Sequence, residues 1–129
     1  MLGVPPAAGS ACRVVTLSGE LGAGKSTFAR GALRALGATG TIKSPSYTLI
    51  ETYELPRVFA VHLDLYRLID PAELEHLGLP DYHRPGALWL IEWPERGAGR
   101  LPPADLRFEF SIVAGGHRIE RIETSTPNK

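Results

Sequence analysis

The stretch Gly19-Glu20-Leu21-Gly22-Ala23-Gly24-Lys25-Ser26 decides how the rest of the 129-residue chain is read. It fits the spacing G-x-x-x-x-G-K-[ST], and each part of that spacing has a physical task. Glycines let the backbone take up positive φ and approach a phosphate closely. Successive backbone N–H groups then point into one concavity, and the helix that follows presents its positive end to the same anion. Lys25 supplies charge for the β- and γ-phosphates, and Ser26 supplies a hydroxyl for Mg²⁺. The bare pattern arises by chance in roughly one chain of this size in a few hundred, so its flanks matter.

The flanks agree with it. Residues 13–18 (Arg-Val-Val-Thr-Leu-Ser) are β-branched and apolar, as in a buried strand. Residues 25–36 carry Phe28, Ala32, Leu33 and Leu36 at helical spacing, and Gly37 stops them. A strand, a Gly-rich loop and a helix in this order are the context that a phosphate cradle needs.

Further along, residues 39–45 read as a loop, and residues 47–55 alternate as a strand. Pro56-Arg57 turns the chain into a returning strand over residues 58–65. There Phe59, Val61, Leu63 and Leu65 share one face, and His62, Asp64 and Tyr66 the other. Asp70 with Pro71 starts a short helix that ends near Gly78. Residues 80–86 read as a loop. Residues 87–91 form a continuous apolar run, as expected of a strand covered on both faces. Residues 96–105 are loop. Residues 106–113 and 118–123 read as a closing hairpin joined through Ala114-Gly115-Gly116-His117. The expected fold is α/β, a P-loop NTPase-like three-layer fold with a mixed β-sheet. Residues 13–123 form its domain, 1–12 a loose leader and 124–129 a tail.

Composition bounds the function. Fourteen basic and fourteen acidic residues give zero net charge, so no global field draws the chain to nucleic acid or an anionic membrane. A single cysteine, Cys12, excludes an internal disulfide and is read as a small hydrophobe. No membrane span and no signal peptide are visible, and a cytoplasmic protein, monomeric when isolated, is expected.

A Mg-nucleotide site calls for a carboxylate at a neighbouring strand end. Glu92 directly follows the apolar run and is the first candidate; the bland reading is a strand end in solvent. Asp64 is the second, to hold a metal-bound water or orient Lys25, against a plain ion pair with Arg67. His62 reads as a packing residue before a base. Trp93 is either a core aromatic or a stacking surface for a ligand or partner. Lys43-Ser44-Pro45-Ser46 lies where a γ-phosphate-sensing switch would sit, against a turn with self-capping serines.

Taken together, four stretches resemble the TsaE family of small P-loop ATPases of tRNA threonylcarbamoyladenosine (t6A) synthesis. They are residues 19–27, Ser-Pro-Ser-Tyr-Thr-Leu-Ile-Glu at 44–51, His-Leu-Asp-Leu-Tyr-Arg-Leu at 62–68 and Ile-Glu-Trp-Pro-Glu at 91–95. The first is shared by many NTPases; the other three in this order are specific. The resemblance implies ATP/ADP and Mg²⁺ as ligands, and weak, partner-dependent hydrolysis that supports repeated turnover of TsaD and TsaB. Contact with tRNA is then indirect or within that complex. By motif position, the loop 19–27 with Lys25, Ser26 and Thr27 binds phosphate, and Ser26 and Glu92 serve the metal. Ser46 is the switch hydroxyl, Asp64 an acid needed for hydrolysis, and Trp93 the neighbour of Glu92 at the site. The family often has Thr where Ser46 stands, and the hydroxyl is kept. By the same resemblance, the family's N-terminal segment over the nucleotide is read as short or absent in this sequence, which leaves the adenine contacts unassigned. Two other readings are a small P-loop metabolite or nucleotide kinase, which needs a substrate insertion and an Arg-rich lid, and a nucleotide-controlled adaptor without meaningful hydrolysis.

Overall fold

The computed structural model describes residues 12–122, so the expected leader (apart from Cys12) and tail lie outside the described residues. Six strands form one mixed sheet: β1 (Arg13–Gly19), β2 (Ile50–Glu54), β3 (Phe59–Asp64), β4 (Ala87–Glu92), β5 (Leu106–Val113) and β6 (Gly116–Ile122). Their order across the sheet is β2-β3-β4-β1-β5-β6. The four central strands are mutually parallel, and β2 and β6 close the two edges antiparallel. The P-loop-like α/β architecture with a mixed sheet is therefore present.

Two apolar layers sandwich the sheet. On one face, Val15, Leu17, Ala60, Leu88, Leu90, Phe108 and Phe110 pack against α1 (Lys25–Ala35) through Phe28, Ala29, Ala32 and Leu33. On the other, Val14, Val61, Leu63, Trp89 and Ile91 pack under Leu74 of a 3-10 helix (Pro71–His76) and Leu79 of the short helix α2 (Leu79–Tyr82). The burial of all six β4 residues explains why its sequence shows no alternation.

Along the α1 face the rows change character toward the carboxyl ends of the strands. Ala60 is followed by His62 and Asp64 on β3, and Leu88 and Leu90 by Glu92 on β4. Register places Asp64 beside Glu92 and Glu92 beside Leu17. Parallel strands gather their carboxyl ends at one edge. From β1 the chain passes to one side of the sheet, and from β4 it crosses to the other, so β1 and β4 flank the crevice where such sheets bind ligands.

Four local expectations need correction. The strand expected from Tyr47 begins only at Ile50, because residues 45–48 form a turn closed by Leu49 N–H to Pro45 O at 2.8 Å. The helix after Asp70 is a 3-10 helix with a full capping box between Asp70 and Glu73. Part of the expected 80–86 loop is α2, which starts from Gly78 at φ 71°. The closing hairpin turns on Ala114-Gly115 alone, since Val113 already pairs with Gly116.

Candidate functional site

Gly19 ends β1, and its φ of 137° sends the chain off the sheet into the loop. A Cβ there would sit 2.0 Å from the Phe110 carbonyl oxygen, so only glycine fits. Gly24 caps α1 in the left-handed region at φ 107°, with no side chain bonding the first helical N–H groups and no acidic residue in the first turn. Those N–H groups have no partner within the helix. The start of α1 is therefore an uncapped, positively polarised end facing a cleft.

The cleft holds about 430 Å³ and is lined by loop residues including Gly22, Gly24 and Lys25, together with Ser26, Thr27, Ser46, Asp64, Tyr66, Arg67, Glu92 and Trp93. Candidates taken from four separate stretches of sequence thus meet in one place. Ser26 donates its hydroxyl to Glu92 Oε1 at 2.9 Å. Ser46 donates to Asp64 Oδ2 at 3.3 Å and shares a 2.8 Å bond with Ser44. Asp64 Oδ1 accepts the Tyr66 N–H at 3.1 Å.

Lys25 is buried at 4% exposure. Its ammonium donates to the carbonyl oxygens of Gly19 and Glu20 and lies 4.2 Å from the Trp93 ring centroid. An ammonium has three donors, so one remains beyond these two carbonyls. Burial pushes the Lys25 pKa down, and the carboxylates of Glu92, Glu95, Asp64 and Glu20 act against that shift. Asp64 moves the other way: burial pushes its carboxyl above the ordinary value, the Tyr66 N–H opposes this, and the Glu92 charge adds to it.

Several open readings resolve. Asp64 does not hold Lys25, whose two carbonyl partners lie in its own loop. Arg67 lies over the Tyr47 ring at 4.4 Å and bonds its hydroxyl, rather than pairing with Asp64. Ser46 both meets Ser44, as a self-capping turn would, and reaches Asp64. Trp93 stands at the cleft wall, 4.9 Å from the Tyr66 ring, and is placed there by a left-handed backbone at φ 59°. Leu49 is the other non-glycine residue at positive φ among those described, at 71°, and its carbonyl accepts the Asp64 N–H at 3.1 Å. Each such residue costs about 1–3 kcal/mol; Trp93 lines the cleft, and Leu49 bonds Asp64, which lines it.

Sequence reasoning gave His62 no place at the site beyond that of a packing residue. It is as buried as Glu92, both at 2% exposure, and its Nε2 lies 2.7 Å from Glu92 Oε2. Its sequence signals are the shared strand face with Asp64 and its place at the head of the 62–68 stretch. The donor set suits a hard cation that also takes phosphate oxygens and water: one carboxylate and one hydroxyl side by side. Among the described residues, no group of three or more His, Cys, Asp and Glu could hold a metal unaided. None of the described helices is long and apolar enough to cross a membrane.

A Gly-rich loop between a buried central strand and an uncapped helix start, with acids on the next strand ends, defines the class: a P-loop-type α/β protein. The family model described as threonylcarbamoyl adenosine biosynthesis protein TsaE matches residues 6–120, and the chain belongs to that family. The tRNA threonylcarbamoyladenosine biosynthesis protein TsaE of Haemophilus influenzae is 44% identical over 116 residues, 90% of this chain and 73% of that protein. The protein of the same name from Bacillus subtilis is 35% identical over 119 residues, 84% of this chain and 74% of its own. The crystal structure of YdiB from Bacillus subtilis superposes with a TM-score of 0.67 at 31% identity, covering 84% of this chain. This chain spans 66% of that one.

Proposed function

We propose that this chain binds ATP and ADP with Mg²⁺ and hydrolyses ATP weakly, as the nucleotide-dependent component of t6A modification of tRNA. In this reading it acts with TsaD and TsaB, works in the cytoplasm and meets tRNA only through that complex. One observation carries the proposal. The Ser26 hydroxyl and the Glu92 carboxylate meet at 2.9 Å beneath an uncapped helix start, although the sequence separates them by 66 positions.

The residues divide the work. Loop N–H groups and the first N–H groups of α1 take the phosphate oxygens, and Lys25 adds its remaining donor. Ser26 and Glu92 would hold Mg²⁺, which would neutralise phosphate charge there. Asp64 is the proton acceptor: a raised pKa makes its carboxylate a better base than a solvated aspartate. Ser46, tied to Asp64, is placed to report whether a terminal phosphate is present. Trp93 forms the wall over Lys25. For a kinase, the segment between β3 and β4 offers only a 3-10 helix and the four-residue α2 in place of a substrate insertion.

Glu92→Gln tests the hydrolytic reading. With TsaD and TsaB present, the variant should complete early rounds of t6A formation and then stall. Sustained turnover by the variant would instead make the chain an adaptor controlled by nucleotide binding alone. A pull-down with TsaD–TsaB in ATP, ADP and no nucleotide tests the partners directly; retention that ignores nucleotide would count against the switch.

A further inference from the structure

His62 belongs to no role assigned above, yet it makes the shortest contact that Glu92 has. The contact is diagonal across the sheet: His62 registers with Leu90, and Glu92 with Asp64. Its Nε2 reaches Glu92 Oε2 at 2.7 Å, while Oε1 of the same carboxylate takes the Ser26 hydroxyl. Both oxygens are therefore engaged, one from behind and one from the cleft side. His62 does not line the cleft, so it is not placed to exchange protons with a ligand there.

The hydrogen on the ring follows from what surrounds it. His62 Nδ1 is the one buried side-chain polar atom without a partner among the described residues. A hydrogen on Nε2 gives the carboxylate a donor and leaves a bare lone pair at Nδ1. A hydrogen on Nδ1 alone would set a lone pair against the carboxylate and bury an N–H with no acceptor, which is the costlier choice. Groups of this kind, behind a ligating side chain, set its orientation.

We propose that His62 is a positioning residue, which clamps Glu92 Oε2 through its Nε2–H so that Oε1 faces Ser26 and the seat for Mg²⁺. The proposal rests on the reading of Glu92 as a metal ligand. A freely rotating carboxylate would spend part of its time turned from Ser26, and the ordering would have to be supplied at each binding event.

The test is the ratio of ADP dissociation constants without and with Mg²⁺, measured by calorimetry on the full chain. His62→Leu should lower that ratio about tenfold, as expected for loss of such a partner. His62→Gln, whose amide N–H can stand where Nε2–H stood, should restore most of it. A ratio unchanged in His62→Leu, or lowered equally in both variants, overturns the proposal. Should His62→Leu not fold, the wild-type imidazole nitrogen spectrum decides: a hydrogen on Nε2 is expected, and an Nε2 without one overturns the proposal. Glu92→Gln separates the two readings. If it lowers the ratio and His62→Leu does not, the clamp alone fails. If it leaves the ratio at the wild-type value, the metal role of Glu92 fails and the clamp with it.

Discussion

Ser26, the second residue of α1, donates its hydroxyl to Glu92, the last residue of β4, at 2.9 Å. This bond ties the Gly-rich loop to the neighbouring strand end and brings two motifs together. It also explains why a buried carboxylate is tolerated at that position: each oxygen has a donor, so the cost of leaving water is offset.

Lys25→Ala should abolish ADP binding in calorimetry. The buried ammonium supplies the cleft's cation at the loop, and the carbonyls of Gly19 and Glu20 would lose its bonds as well, Glu20 keeping the Ala23 N–H. Retained affinity would contradict the phosphate-binding role.

Trp93 should report nucleotide binding. Its ring touches the Lys25 ammonium at 4.2 Å, whereas Trp89 is buried in the core at 1% exposure. Intrinsic fluorescence should change on adding ADP to the wild type and stay flat in Trp93→Phe, with Trp89 still emitting.

Asp64→Asn should raise thermal stability at neutral pH while ending hydrolysis. Burial lifts the Asp64 pKa, so the folded state holds its proton more tightly than the unfolded chain. Its contribution to stability is full below the unfolded pKa and is lost as pH rises through the folded one. The amide removes that loss, keeps an oxygen for the Tyr66 N–H and turns an N–H toward Ser46, whose hydroxyl oxygen can accept it. Melting curves should show a gain at pH 7 that shrinks at acid pH, and single-turnover ATP hydrolysis should be lost. A gain that is the same at both pH values would contradict the burial argument.

Gly19→Ala should destabilise the fold by about 2–4 kcal/mol, since both a φ of 137° and a carbonyl 2.0 Å from the new Cβ oppose it. Urea denaturation measures this directly. A loss below about 1 kcal/mol would mean that the backbone relaxes there.

The apolar run of β4, the helical spacing of α1 and the strand parity of β3 were legible because each is a local pattern of burial. The turn at residues 45–48 was not. Tyr47 and Leu49 continue the alternation of β2 in sequence, but Leu49 takes a left-handed backbone whose carbonyl receives the Asp64 N–H. That bond comes from the paired strand, which no local window contains. The short α2 and the two-residue hairpin turn were missed for a similar reason: packing of Leu79 under the sheet and pairing of Val113 with Gly116 fixed their limits.

The sequence by itself determined the Gly-rich loop, the α/β class and the acids Asp64 and Glu92 as candidates, because residue type and spacing along one segment are enough to state each. Only the tertiary structure decided what these residues do to one another. Parallel strands brought Glu92 beneath the loop, a turn delivered Ser46 to Asp64, and His62 came to rest against Glu92. Those relations depend on strand order and register, which arise from burial of both sheet faces at once and leave no mark at any single position.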